Sequence, residues 1–169
     1  MIVLIMGVSG SGKSTIGRQL ADALHWKFAD ADSFHSHINL KKMRAGTPLS
    51  EHDREPWLCA LRAAIDRWIR EEQNIVLACS ALTAASRRIL IPDRCSMALV
   101  YLQGSFKLIQ SRLAKRQHHF MPRELLASQF DILEEPTDAL TIDAAWPPDT
   151  ITAHIRAHLD SALSNPASL

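Results

Sequence analysis

Residues Gly7-Val8-Ser9-Gly10-Ser11-Gly12-Lys13-Ser14 satisfy the phosphate-loop pattern G-x-x-x-x-G-K-[ST] at every fixed position. Glycines let a backbone curl closely around an anion, so that several N–H groups point inward. A helix beginning near Lys13 adds its positive N-terminal end. The Lys13 ammonium is then placed for the β- and γ-phosphates, and the Ser14 hydroxyl for Mg²⁺, with Thr15 completing the nucleotide contacts. The implied ligand is a nucleoside triphosphate.

Two further constellations bear on what happens to that ligand. Asp30-Ala31-Asp32 follows an apolar segment, and alternation in an extended chain puts both carboxylates on one face. One can support Mg²⁺ through its waters while the other accepts a hydroxyl proton. Later comes a basic cluster of Arg112, Lys115, Arg116, His118 and His119, ending at Pro122. Helical spacing places the Arg112 and Arg116 guanidiniums on one side. Such a segment suits a lid, over residues 112–123, whose arginine covers the transferring phosphoryl group and excludes water.

The elements that must position these groups are legible. Apolar strand signals recur at Ile2–Met6, Lys27–Ala31, Ile75–Cys79, Ala98–Leu102 and Leu140–Asp143, with helical patterns between them. That alternation predicts an α/β fold in three layers, a parallel sheet covered on both faces. Ile16, Leu20, Ala23 and Leu24 mark the helix after the loop. Pro56–Glu72 carries Trp57, Leu58, Leu61, Ile65, Trp68 and Ile69 at helical spacing, with Pro56 in the first turn. Both tryptophans are expected in the core. Ser105–Arg116, Arg123–Leu133 and Pro148–Leu163 read as further helices, and Ser164–Leu169 as a loose tail. The whole chain, 1–169, reads as a single domain, without repeat or linker. The polar segment 33–55 follows the second strand, where small kinases insert the lobe that holds the phosphate acceptor.

Composition narrows the function classes. A net charge of +1 with interspersed signs advertises no polyanion surface, which argues against nucleic acid as a partner. No apolar run approaches the roughly 18–20 residues of a membrane helix, so no membrane association is expected. The N-terminal apolar stretch runs straight into the phosphate loop and is no signal peptide. Cys59, Cys79 and Cys95 lack metal-ligand or redox spacing and read as reduced, mostly buried thiols of a cytoplasmic protein. His154 and His158 share a helix face without a third ligand nearby, so no metal is read there. Guanine-reading GTPases need N-K-x-D, and no asparagine here precedes lysine. Hydrolytic ATPases need an acid after a strand, whereas the third strand signal ends in Cys79-Ser80-Ala81. A small kinase remains, for a hydroxy acid or a nucleotide; a regulatory ATPase is the alternative from another class.

Several segments together resemble the gluconate kinases of the phosphate-loop type. They are Phe34-His35-Ser36, Asn39, Lys42-Met43, Gly46, Pro48-Leu49, Asp53-Arg54-x-Pro56-Trp57-Leu58 and Cys79-Ser80-Ala81-Leu82. Arg112-Leu113-x-x-Arg116-x-x-His119-Phe120-Met121 and Ser128-Gln129-Phe130-x-x-Leu133-Glu134-x-Pro136 continue the likeness, which reaches to about Asp143. The resemblance implies a five-stranded sheet related to shikimate and nucleoside monophosphate kinases, a homodimer, and transfer of the ATP γ-phosphoryl group to the 6-hydroxyl of D-gluconate. It implies that Asp32 is the acceptor-side carboxylate and Asp30 the Mg²⁺-side partner. His35, Asn39, Lys42, Arg54 and His119 are implied acceptor contacts, and Arg112 and Arg116 nucleotide contacts, with Arg116 catalytic beside Lys13. An arginine is apt for a carboxylate because its planar fork binds it bidentately. Ala31, Glu51, Thr83, Ser86 and His118 stand where that family commonly has other residues.

Overall fold

A computed structural model describes residues 1–91, 96–115 and 123–164. Five strands form one all-parallel sheet: β1 (Ile2–Met6), β2 (Lys27–Asp30), β3 (Ile75–Ala78), β4 (Met97–Gln103) and β5 (Leu140–Asp143), in spatial order β2-β3-β1-β4-β5. Among the described residues, seven α-helices connect or follow them: α1 (Lys13–Leu24), α2 (His37–Arg44), α3 (Glu51–Arg70), α4 (Ala84–Leu90), α5 (Phe106–Ala114), α6 (Arg123–Asp131) and α7 (Pro148–Ser164).

The central strand explains the layering. Every residue of β1 is fully buried, and successive side chains point to opposite faces. Ile2, Leu4 and Met6 pack with Trp57, Leu61, Ile65 and Trp68 of α3. Val3 and Ile5 pack with Ile16 and Leu20 of α1 and with Ile151, Ile155 and Leu159 of α7. A third cluster joins Val8 of the phosphate loop to Leu82, Ile109, Leu113 and Leu126. The sheet's carboxyl ends therefore open between packed helices, where ligands gather in doubly wound folds.

Several expected bounds shift, and β2, β3 and α6 end one or two residues early. Helix α3 starts at Glu51, five residues before Pro56. A capping box at Ser50 and Asp53, each side chain bonded to the other's backbone N–H, nucleates the helix earlier than the apolar periodicity shows. Pro56 then sits inside it and forfeits one ladder bond, to the carbonyl of exposed His52. Cys59 is exposed rather than buried, Cys79 is buried, and Cys95 lies outside the described residues. Helix α7 runs to Ser164, and the expected tail beyond it also lies outside them. No described helix is long and apolar enough to cross a membrane.

Candidate active site

The phosphate loop leaves β1 and enters α1 through a backbone that glycine makes possible. Gly7, Gly10 and Gly12 have φ values of 144°, 88° and 108°. At Gly7 a Cβ would lie 2.8 Å from the Leu102 carbonyl oxygen, so space as well as conformation demands glycine there. Gly10, Gly12, Lys13, Ser14 and Thr15 line a cavity of about 240 Å³ at the α1 N-terminus. Lys13 Nζ lies 3.0 Å from the Val8 carbonyl oxygen, to which it donates from inside the loop. The Ser14 hydroxyl donates to Asp30 Oδ2 at 2.8 Å. A hydroxyl and a carboxylate thus meet in the same cavity, a pair of hard oxygen donors suited to a small divalent cation that keeps waters and phosphate oxygens as its other ligands.

Asp30 and Asp32 do face the same cavity, but not by strand alternation. The strand ends at Asp30, and Ala31–Phe34 forms a single 3₁₀ turn. Asp30 Oδ1 caps that turn by accepting from the Asp32 N–H at 3.1 Å. The Ser33 hydroxyl donates to the Asp30 carbonyl at 2.7 Å. Asp30 is therefore both cap and partner of Ser14, while Asp32 is carried past it toward a second, larger cavity.

That second cavity holds about 550 Å³ and is walled by Asp32, His35, Arg54 and Trp57 on one side and by Leu125, Ser128 and Gln129 of α6 on the other. Leu40 and Met43 of α2, residues 80–83 and the 47–49 connection also line it. Ser9, Asp32 and Ser80 line both cavities, so the two spaces adjoin along these residues. His35 stacks on Trp57, with ring centroids 4.5 Å apart and planes 11° from parallel. Trp57 is itself fixed by donating from Nε1 to the Ala31 carbonyl at 2.8 Å. Burial holds the His35 imidazole below its ordinary pKa, against the opposing charge of Asp32. Its Nδ1 is buried without a hydrogen-bond partner among the described residues. A neutral ring with its proton on Nε2 avoids stranding a donor there.

The 80–83 segment is held from behind. Arg87 Nη1 donates to the Ala81 and Leu82 carbonyls, each at 3.0 Å. Ala81 has φ 43°, a left-handed conformation that costs a non-glycine residue and is sustained here by those bonds. The Thr83 and Ser86 hydroxyls, 2.9 Å apart, sit on the same wall.

Two expected acceptor contacts are placed elsewhere. Lys42 Nζ bonds both Asp53 carboxylate oxygens at 2.7 and 2.9 Å. Its hydrogen bond, with those from Ser50, holds the Asp53 carboxyl down at about 2. Asn39 is buried and donates from Nδ2 to the Asp53 carbonyl at 2.6 Å. Neither residue is among those lining the cavity; both tie α2 to the start of α3. Arg54, the next residue along, does line it.

On the nucleotide side, Arg112 Nη2 donates to the Ala144 carbonyl at 2.6 Å and Nη1 to the Ser11 carbonyl at 3.4 Å. It braces the phosphate loop against the β5–α7 connection. Residues 112–114 of the expected lid are the last residues of α5. Arg116, His118 and His119 lie outside the described residues.

The sequence assigns no role to Ser80, Trp57 or Gln129 in the larger cavity. The tryptophan belongs to the core as expected, but one of its faces is the floor on which His35 lies. Gln129 fell within a recognised motif, yet nothing in the sequence reveals its partner, Ser9.

Comparison with known proteins places this geometry in a family. The shikimate kinase family model matches residues 9–141. The thermoresistant gluconokinase of Escherichia coli strain K12 is 39% identical over 156 residues, covering 90% of this chain and 89% of that protein. The gluconokinase of Arabidopsis thaliana is 44% identical over 146 residues, covering 79% and 77%. The crystal structure of a gluconokinase from Sinorhizobium meliloti 1021 superposes with a TM-score of 0.84 at 35% identity, covering 98% of this chain and 94% of that one. With a phosphate loop, a carboxylate shared by two adjoining cavities and likeness over most of its length, the chain belongs to the gluconokinase family.

Proposed function

We propose that this protein transfers the γ-phosphoryl group of ATP to the 6-hydroxyl of D-gluconate, giving 6-phosphogluconate and ADP. The observation that carries the reading is Asp32, a carboxylate on the common wall of a phosphate-loop cavity and a second cavity furnished with Arg54 and His35. Phosphoryl transfer asks little covalent chemistry of the protein, so placement and charge carry the effect.

In this reading the γ-phosphate enters the smaller cavity and meets the loop amides, the α1 N-terminus and Lys13. Lys13 swings from the Val8 carbonyl to the phosphoryl oxygens, where charge develops in the transition state. Gluconate lies in the larger cavity with its carboxylate on the Arg54 fork and a hydroxyl on His35. Asp32 orients the 6-hydroxyl and takes its proton as the new oxygen–phosphorus bond forms and the bond to the ADP oxygen breaks. Mg²⁺ would be held by Ser14 and, through water, by Asp30; when bound it neutralises phosphate charge. Arg116 and His119 enter the proposal as lid contacts, from the family motif. That resemblance also supports a homodimer, the cysteine spacing a cytoplasmic setting, and the chain's size and lack of a linker a single kinase domain.

The test is the product. With wild-type protein, ATP, Mg²⁺ and ¹³C-labelled D-gluconate, carbon–phosphorus coupling should appear at C6 and C5. Phosphate at another carbon, or no phosphorylated gluconate, overturns the reading.

A further inference from the structure

One side chain from α6 reaches the wall that the two cavities share. Gln129 Oε1 accepts from the Ser9 backbone N–H at 2.7 Å, and Gln129 Nε2 donates to Ser9 Oγ at 3.0 Å. Ser9 lines both cavities, and Gln129 lines the acceptor cavity. The contact therefore sits at the border that the phosphoryl group must cross. A primary amide satisfies an N–H and a hydroxyl at once, fixing both distance and angle, without placing charge beside the triphosphate. The apex of the phosphate loop is thereby held from the acceptor side.

The helix supplying that amide is itself anchored. Leu125 and Leu126 are buried, and Phe130 meets Phe106 edge-on at 5.3 Å. Just beyond α6, Glu134 donates from its N–H to the Leu82 carbonyl and accepts from the Ala84 N–H, both at 2.9 Å. So α6 is fixed to the loop that walls the acceptor cavity, and Gln129 extends the same frame to the phosphate loop.

We propose that Gln129 is a positioning residue: through Ser9 it keeps the phosphate-loop apex in register with the acceptor hydroxyl. The proposal rests on the kinase reading above and adds to it a residue to which no role has been assigned. In-line transfer tolerates little misplacement, and about 1 Å of it can cost on the order of 10²-fold in rate. Nucleotide binding draws on the remaining loop amides and Lys13, so it should change little.

The experiment compares wild type with Gln129→Ala, the volume-conserving Gln129→Met, Ser9→Ala and the Ser9→Ala/Gln129→Met double variant, each checked for folding by thermal melting. Expected are a fall in kcat on D-gluconate of roughly tenfold or more for both Gln129 variants, with KM for ATP within about twofold. The double variant should be no slower than Gln129→Met, because the two residues act as one unit. Amide exchange at Ser9, followed by NMR without substrates, should be faster in Gln129→Met than in wild type. A folded Gln129→Met with kcat within about twofold of wild type, or with a loss confined to KM for ATP, overturns the proposal. If wild type proves inactive on gluconate, the substrate reading falls separately, and the Ser9 exchange rate still decides the link: unchanged exchange overturns it.

Discussion

Asp32 separates chemistry from binding. Asp32→Asn keeps the shape of the side chain but turns one acceptor oxygen into an NH2 donor and cannot take a proton. Steady-state kinetics should show kcat lowered by roughly 10²-fold or more, with KM for ATP nearly unchanged. Arg54 divides the other way, because of the two cavities it lines only the larger, where the proposal puts gluconate. Arg54→Ala should raise KM for gluconate well above any effect on ATP, and Arg54→Lys should recover little, since a point charge lacks the fork. For His35 the sign follows from burial. Its folded pKa is lowered from about 6.5, so between the two values the unfolded chain binds more protons and stability falls as pH falls. Melting at pH 7 and pH 5 should therefore show a larger loss for wild type than for His35→Gln; equal losses would contradict a buried neutral imidazole. The grouping of Lys13, Ser14, Asp30 and Asp32 around one cavity is legible because short-range spacing at the carboxyl ends of parallel strands brings them together. The placement of Lys42 and Asn39 is not, because only the folded chain shows that Asp53 engages both.

Strand bounds are legible to within a residue at each end, in the fully buried β1 and in the half-exposed β5 alike. β1 and β5 have the bounds that their apolar runs indicate, and β4 extends one residue further at each end. The start of α3 was missed because apolar periodicity begins at Trp57, whereas the helix is nucleated by Ser50 and Asp53. That cap also presents Lys42 with its partner and sets Arg54 on the first turn. Replacing Ser50 by Ala should cost about 1 kcal/mol, the usual value for a lost N-cap, and chemical denaturation measures it. A change below a few tenths would show that the Lys42–Asp53 pair holds the helix start without the cap. The polar segment 33–55 reads as an acceptor lobe from its position after β2. Its internal path, a 3₁₀ turn, α2 and a connection through 47–49, depends on contacts with α3 that periodicity does not encode.

At the scale of the whole molecule, strand order was the unread quantity. Alternating strand and helix signals imply a covered parallel sheet, but they do not say that β1 lies between β3 and β4. That placement sets the phosphate loop at the centre of the sheet, with the 80–83 loop after β3 beside it. Ser80 forms part of their common wall, and the Gly7 N–H reaches the Ser80 carbonyl at 3.4 Å. The two cavities adjoin because their strands are neighbours, and a transfer reaction needs that adjacency. The most direct test is therefore acceptor-dependent ADP release by the wild-type protein with ATP and Mg²⁺, measured with D-gluconate, with glucose and with no acceptor. ADP release should rise many-fold with D-gluconate, one ADP for each 6-phosphogluconate formed, and stay near background with glucose, which lacks the carboxylate that Arg54 would hold. Equal rates with and without gluconate, or equal use of glucose, would contradict the account.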